Sequence, residues 1–74
     1  MAAEQTELEA LLEELEAEEQ AVSLQRRRLH DRLALYPGSS TDLEAKEREL
    51  SARRRELHQR IDALRAQRSA ARGA

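Results

Sequence analysis

Glu19, Ser23, Arg26 and His30 belong to a 74-residue chain that repeats them, in the same order and at the same spacing, as Glu47, Ser51, Arg54 and His58. These four residue types, at offsets of 0, 4, 7 and 11, suit a ligand that carries both anionic and polar groups. Arginine takes phosphate as an ion pair or grips guanine O6 and N7 in a bidentate fork. Carboxylates accept from the N–H groups of guanine, serine donates to phosphate, and imidazole stacks or donates. A cyclic dinucleotide offers all of these partners. The second copy adds Asp62 at offset 15, where the first has Ala34.

Aligning residues 15–33 with 43–61 gives ten identities in nineteen positions. A coiled coil needs its leucines to recur, and charge bias explains some of the Glu and Arg matches. Neither explains why Ser23 recurs as Ser51 or His30 as His58. The repetition is therefore read as a duplication of function-bearing positions.

Helices must present these side chains. At about 100° per residue the five offsets fall near 0°, 40°, −20°, 20° and 60°, one stripe about 22 Å long. Beside it runs a heptad seam: Leu8, Leu12, Leu15, Val22, Leu29, Leu33 and Tyr36 in the first half, then Leu43, Leu50, Leu57, Ile61 and Leu64 in the second. Glu19, Arg26, Glu47 and Arg54 occupy a positions of that seam, where an ion costs stability unless it is paired or solvated. The same four charges could serve only to fix register, as buried polar residues do. The one strong break is YPGSST at 36–41, where Pro ends a helix and Gly permits a turn. The expectation is an all-α, two-helix antiparallel coiled-coil hairpin forming a single domain over 1–74, with helix 1 over about 6–36, a turn at 37–41 and helix 2 over about 42–71. Capping boxes from Thr6 to Glu9 and from Thr41 to Glu44 would open the helices. A turn centred between Gly38 and Ser39 sets the register: facing residues have numbers summing to about 77, so that His58 meets Glu19, Arg54 meets Ser23, Ser51 meets Arg26 and Glu47 meets His30. The stripes are then related by a local two-fold axis.

Composition limits the alternatives. With one aromatic residue and 38% charged residues the chain cannot build a large core. The absence of Cys excludes disulfides and thiolate metal sites. No apolar run suggests a signal peptide or a membrane span, so the expected location is cytoplasmic. Residues 1–20 hold eight Glu and no base, while residues 53–74 hold seven Arg, and the two ends are expected to pair. No Gly-rich phosphate loop, activated nucleophile or local histidine metal pair is present, so no enzyme and no metal site are expected.

The spacing E-x3-S-x2-R-x3-[Q]-x3-D resembles the signature of RsiG, the cyclic-di-GMP-dependent anti-sigma factors of actinobacteria. The second copy reads Glu47, Ser51, Arg54, His58, Asp62, with His where the family has Gln. The first reads Glu19, Ser23, Arg26, His30, Ala34 and lacks the terminal Asp. The resemblance spans residues 19–62. It implies a hairpin that binds cyclic di-GMP, as a dimer of the nucleotide, through those nine polar residues, and in that state sequesters a WhiG/flagellar-type sigma factor and so regulates transcription. Imidazole can still hydrogen-bond or stack, but it lacks the side-by-side donor and acceptor of the Gln amide, and because a free imidazole ionises near neutrality the affinity for the ligand is expected to vary with pH.

The residues alone leave two other readings open: a structural or adaptor coiled coil without a nucleotide ligand, and a nucleic-acid hairpin using the arginine runs at 26–28 and 53–55. The anti-sigma reading expects no direct DNA binding and no membrane association. Two helices bury little, so self-association as a homodimer, or folding on partner and ligand, is expected as well.

Overall fold

The computed structural model describes residues 2–35 and 41–73, with side chains described from Gln5 onward. It consists of two long helices, α1 (Ala2–Leu35) and α2 (Thr41–Gly73). They are built almost wholly from strong helix formers, Ala, Leu, Glu, Arg and Gln, with no Pro or Gly before the last residue of α2. Acidic Asp42 and Glu44 in the first turn of α2 and basic Arg72 in its last turn complement the helix dipole, as does Arg32 at the end of α1.

The helices lie antiparallel in a rod 54 Å long and about 15 Å across. Glu9 pairs with Arg68 at one end and His30 with Glu47 toward the other. Most of the seam expected from the heptads is the core: Leu12, Leu15, Val22 and Leu29 of α1 interleave with Leu50, Leu57 and Ile61 of α2, while Leu8, toward the open end, is only half-buried and lies outside this cluster. Leu57 is completely buried, and Leu33, Leu43 and Leu64 pack against the cluster's ends. Seven buried side chains among the described residues form a thin core, as expected of two helices.

Two boundaries differ from expectation. α1 begins at Ala2 rather than near residue 6, so Thr6 sits inside the helix and cannot act as its N-cap. Ala2, Ala3, Glu4 and Gln5 favour helix, and an acidic group near the N-terminus suits the dipole, so nothing stops the helix at Thr6. Thr41 is the first residue of α2 rather than the last of the turn. The rest of the expected turn, with Tyr36, lies outside the described residues.

Candidate functional site

Heptad a positions of the two helices face each other beside e positions, and the a and e residues of both repeats meet midway along the hairpin. On α1, Ser23 donates to Glu19 one turn earlier, Oγ to Oε1 at 2.7 Å. Across the interface Arg54 Nε donates to Ser23 Oγ at 3.2 Å, and Nε2 of His58 lies 3.1 Å from Glu19 Oε1. The second cluster mirrors the first. Ser51 donates to Glu47 at 2.7 Å, Arg26 Nε donates to Ser51 Oγ at 2.9 Å, and His30 Nε2 lies 3.0 Å from Glu47 Oε1. A carboxylate only accepts, so both imidazoles present their proton on Nε2.

Each cluster is thus a hybrid, taking carboxylate and hydroxyl from one repeat and arginine and imidazole from the other. All four expected pairings occur, and the clusters are related by an approximate two-fold axis. The E-x3-S spacing is the i,i+4 contact along a helix, while the offsets to Arg and His put those side chains where the opposite helix supplies their acceptors.

The electrostatics follow from this wiring. Hydrogen bonds from His30, then Ser51, then Arg26 hold the Glu47 carboxyl at about 2, against an ordinary 4.5. The Glu19 carboxyl is also lowered, chiefly by Ser23, with the charges of His58 and Arg54 adding to the effect and partial burial opposing it. Glu19 and Glu47, with 18% and 24% of their side chains exposed, are more sheltered than the arginines and histidines that meet them. Charge in the seam is tolerated because the carboxylates are paired and hydrogen-bonded while the arginines and histidines reach toward solvent.

Arg26 and Arg54 use only Nε in these contacts; their terminal guanidinium nitrogens make no hydrogen bond among the described residues. An open hollow of about 310 Å³ lies over them, lined by Ser23, Arg26, Arg27, His30 and Arg54. Three guanidinium groups, a hydroxyl and an imidazole form a surface for an anion with hydrogen-bonding edges. Asp62 is exposed one turn beyond His58 and makes no hydrogen bond or ion pair among the described residues, and Ala34 is exposed at the matching position of α1. The site thus joins eight of the nine expected residues, with Asp62 standing apart.

Arg27, which also lines the hollow, was not singled out by the repeat, although its identity with Arg55 was visible in the alignment. The arginine runs divide by position. Arg53 is bound by Glu18, through Nε at 3.1 Å and a shorter Nη2 contact, and Glu56 adds a third hydrogen bond; these raise its pKa, Glu18 contributing most. Arg27, Arg28 and Arg55 have no ion pair among the described residues. Toward the open end, Arg65 pairs with Glu16, and Arg68 and Arg72 with Glu9, so the acidic and basic ends do neutralise each other. No group of three metal-ligating side chains occurs among the described residues, and no helix there is long and apolar enough to cross a membrane.

Fold and site together define an antiparallel two-helix coiled coil with a two-fold polar centre. Comparison of the chain with protein-family models, curated proteins and solved structures finds no match.

Proposed function

We propose that the chain is a non-catalytic nucleotide sensor: it binds cyclic di-GMP over the two polar clusters and, so loaded, sequesters a WhiG/flagellar-type sigma factor. The observation that carries this reading is the pair of guanidinium ends, on Arg26 and Arg54, left without acceptors among the described residues beside a hollow while their Nε atoms are anchored by serine. Anchoring through Nε fixes the fork and leaves its two terminal nitrogens for phosphate or for a guanine edge, which lowers the ordering cost of binding. The two-fold relation of the clusters matches the two-fold symmetry of a cyclic dinucleotide. Glu19 and Glu47, kept ionised, are suited to accept from guanine N–H groups if the histidines yield them.

In this reading the nucleotide couples to the partner by mass action, stabilising one register of a thinly cored hairpin and with it one docking surface. Capture of a WhiG-type sigma factor on the immobilised chain tests it. Retention should depend on added cyclic di-GMP and fail with cyclic di-AMP; equal retention with and without nucleotide contradicts the coupling.

An adaptor coiled coil without ligand is the second reading. It is favoured by the fact that both carboxylates already have serine, arginine and histidine partners within the chain. Such an adaptor would show no nucleotide-dependent heat or stabilisation.

A further inference from the structure

The polar clusters occupy the a and e flank of the hairpin. On the d and g flank, Gln25, Arg28, Arg32 and Lys46 surround Leu29 and Leu50 in a hollow of about 430 Å³ whose lining contains no carboxylate among the described residues. Nearer the open end, a hollow of about 440 Å³ is lined by Leu8, Leu11 and Leu64, with Glu7 the one charged residue in its described lining. One flank therefore carries a basic hollow at one end and an apolar, acidic one at the other.

The outer face of α1 repeats that asymmetry. Leu11, Glu14, Glu18, Gln25, Arg28 and Arg32 fall within about 100° of each other around the helix. Ala21 lies between the acidic and basic halves. Leu11 is 43% exposed, and Glu14, Arg28 and Arg32 have no hydrogen bond or ion pair among the described residues. Glu14 with Glu18, and Arg28 with Arg32, are like charges at i,i+4, an arrangement that weakens an isolated helix. A surface whose N-terminal half is the charge complement of its C-terminal half, with a small residue at the midpoint, is self-complementary across a two-fold axis.

We propose that this face of α1 docks antiparallel on the same face of a second copy of the chain, about a two-fold axis near Ala21. Glu14 of each copy then meets Arg28 of the other, and each Leu11 comes to the mouth of the other copy's basic hollow. Ala21 lets the helices approach at the crossing. The contact gives Glu14 and Arg28 the opposite charges that neither has among the described residues, and it thickens a core that two helices alone keep thin. It uses the flank opposite the polar clusters, so it requires no nucleotide and stands whether or not the sensor reading holds.

Sedimentation equilibrium of the full chain at about 10–100 μM, without nucleotide, tests the proposal, with helix content followed by circular dichroism. The wild-type chain should be a dimer that weakens as salt is added. Arg28→Glu and Glu14→Arg should each raise the dimer dissociation constant about tenfold or more, because the two-fold axis counts each substitution twice. The double variant, with the charges exchanged, should recover most of the loss. A monomeric wild-type chain overturns the proposal, as does a dimer indifferent to the single variants or not rescued in the double. A chain that stays monomeric while a Glu-rich helical peptide binds it in an Arg28-dependent way would assign the face to a foreign acidic helix, and would equally overturn it.

Discussion

Arg26 on α1 gives its Nε proton to Ser51 on α2 at 2.9 Å, and the relation is returned 28 residues away, where Arg54 on α2 donates to Ser23 on α1 at 3.2 Å. In each case the serine passes its own proton to a glutamate at 2.7 Å. These two relays explain why Ser recurs at a spacing that a coiled coil does not require.

Because the relays are equivalent, their energies should match. Ser51→Ala and Ser23→Ala should each cost about 0.5–1.5 kcal/mol of stability, the net worth of a hydrogen bond. Double-mutant cycles for Arg26 with Ser51 and for Arg54 with Ser23 should give coupling energies equal to within about 0.5 kcal/mol. Urea unfolding provides the measurement, and strongly unequal couplings would show that the two-fold relation is only geometric.

The depressed carboxyl of Glu47 makes the hairpin acid-sensitive. A group whose pKa is lower folded than unfolded stabilises fully above its unfolded value, near 4.5, and loses that contribution as pH falls toward its folded value of about 2. Glu19, shifted in the same direction, adds to the effect. Thermal melts should therefore show a falling midpoint as pH drops from about 5 to about 2. Glu47→Gln should flatten that fall, and an unchanged slope in this variant would remove Glu47 as its source.

Leu57, fully buried at the centre of the seam, should be the least replaceable side chain. Leu57→Ala should cost about 2–5 kcal/mol and leave the hairpin largely unfolded at room temperature. Leu24→Ala, on the exposed side of α1, should change stability by less than about 0.5 kcal/mol. Far-ultraviolet circular dichroism of the two variants separates these outcomes.

Asp62 is exposed and has no partner among the described residues, and the proposed function assigns it to the ligand. Asp62→Ala should weaken cyclic di-GMP binding by about 1–3 kcal/mol, the scale of a base-edge contact, without altering helix content. Ala34→Asp should tighten binding if one hairpin supplies both halves of the site, and do little if the site is built from two copies of α2. Unchanged affinity in the Asp62→Ala variant would exclude both arrangements.

Much of the fold and of the polar centre is legible in the amino-acid sequence. Leucine spacing locates the seam, and the turn signal at 36–41 sets the antiparallel register that brings Glu19 to His58 and Arg26 to Ser51. Serine and histidine carry the signal because a heptad has no use for them at fixed spacing. The start of α1 is not legible: Thr6 has the chemistry of a cap, but Ala2 to Gln5 continue the helix at no cost, and propensity outweighs a capping option that is not needed. Nor is the pairing of Arg53 with Glu18. With thirteen bases and fifteen acids in the chain many pairings satisfy charge, and the choice depends on a difference of a few ångströms in how the g positions approach one another.

Nucleotide recognition by Arg26 and Arg54 is decided most directly by isothermal titration calorimetry of the intact chain with cyclic di-GMP, alongside cyclic di-AMP. Saturable binding specific to cyclic di-GMP is expected, and it should be weakened about tenfold or more in Arg26→Ala and in Arg54→Ala, both of which keep their helix content because alanine favours helix. An absence of heat with the wild-type chain, or equal affinity in wild type and both arginine variants, would contradict the assignment.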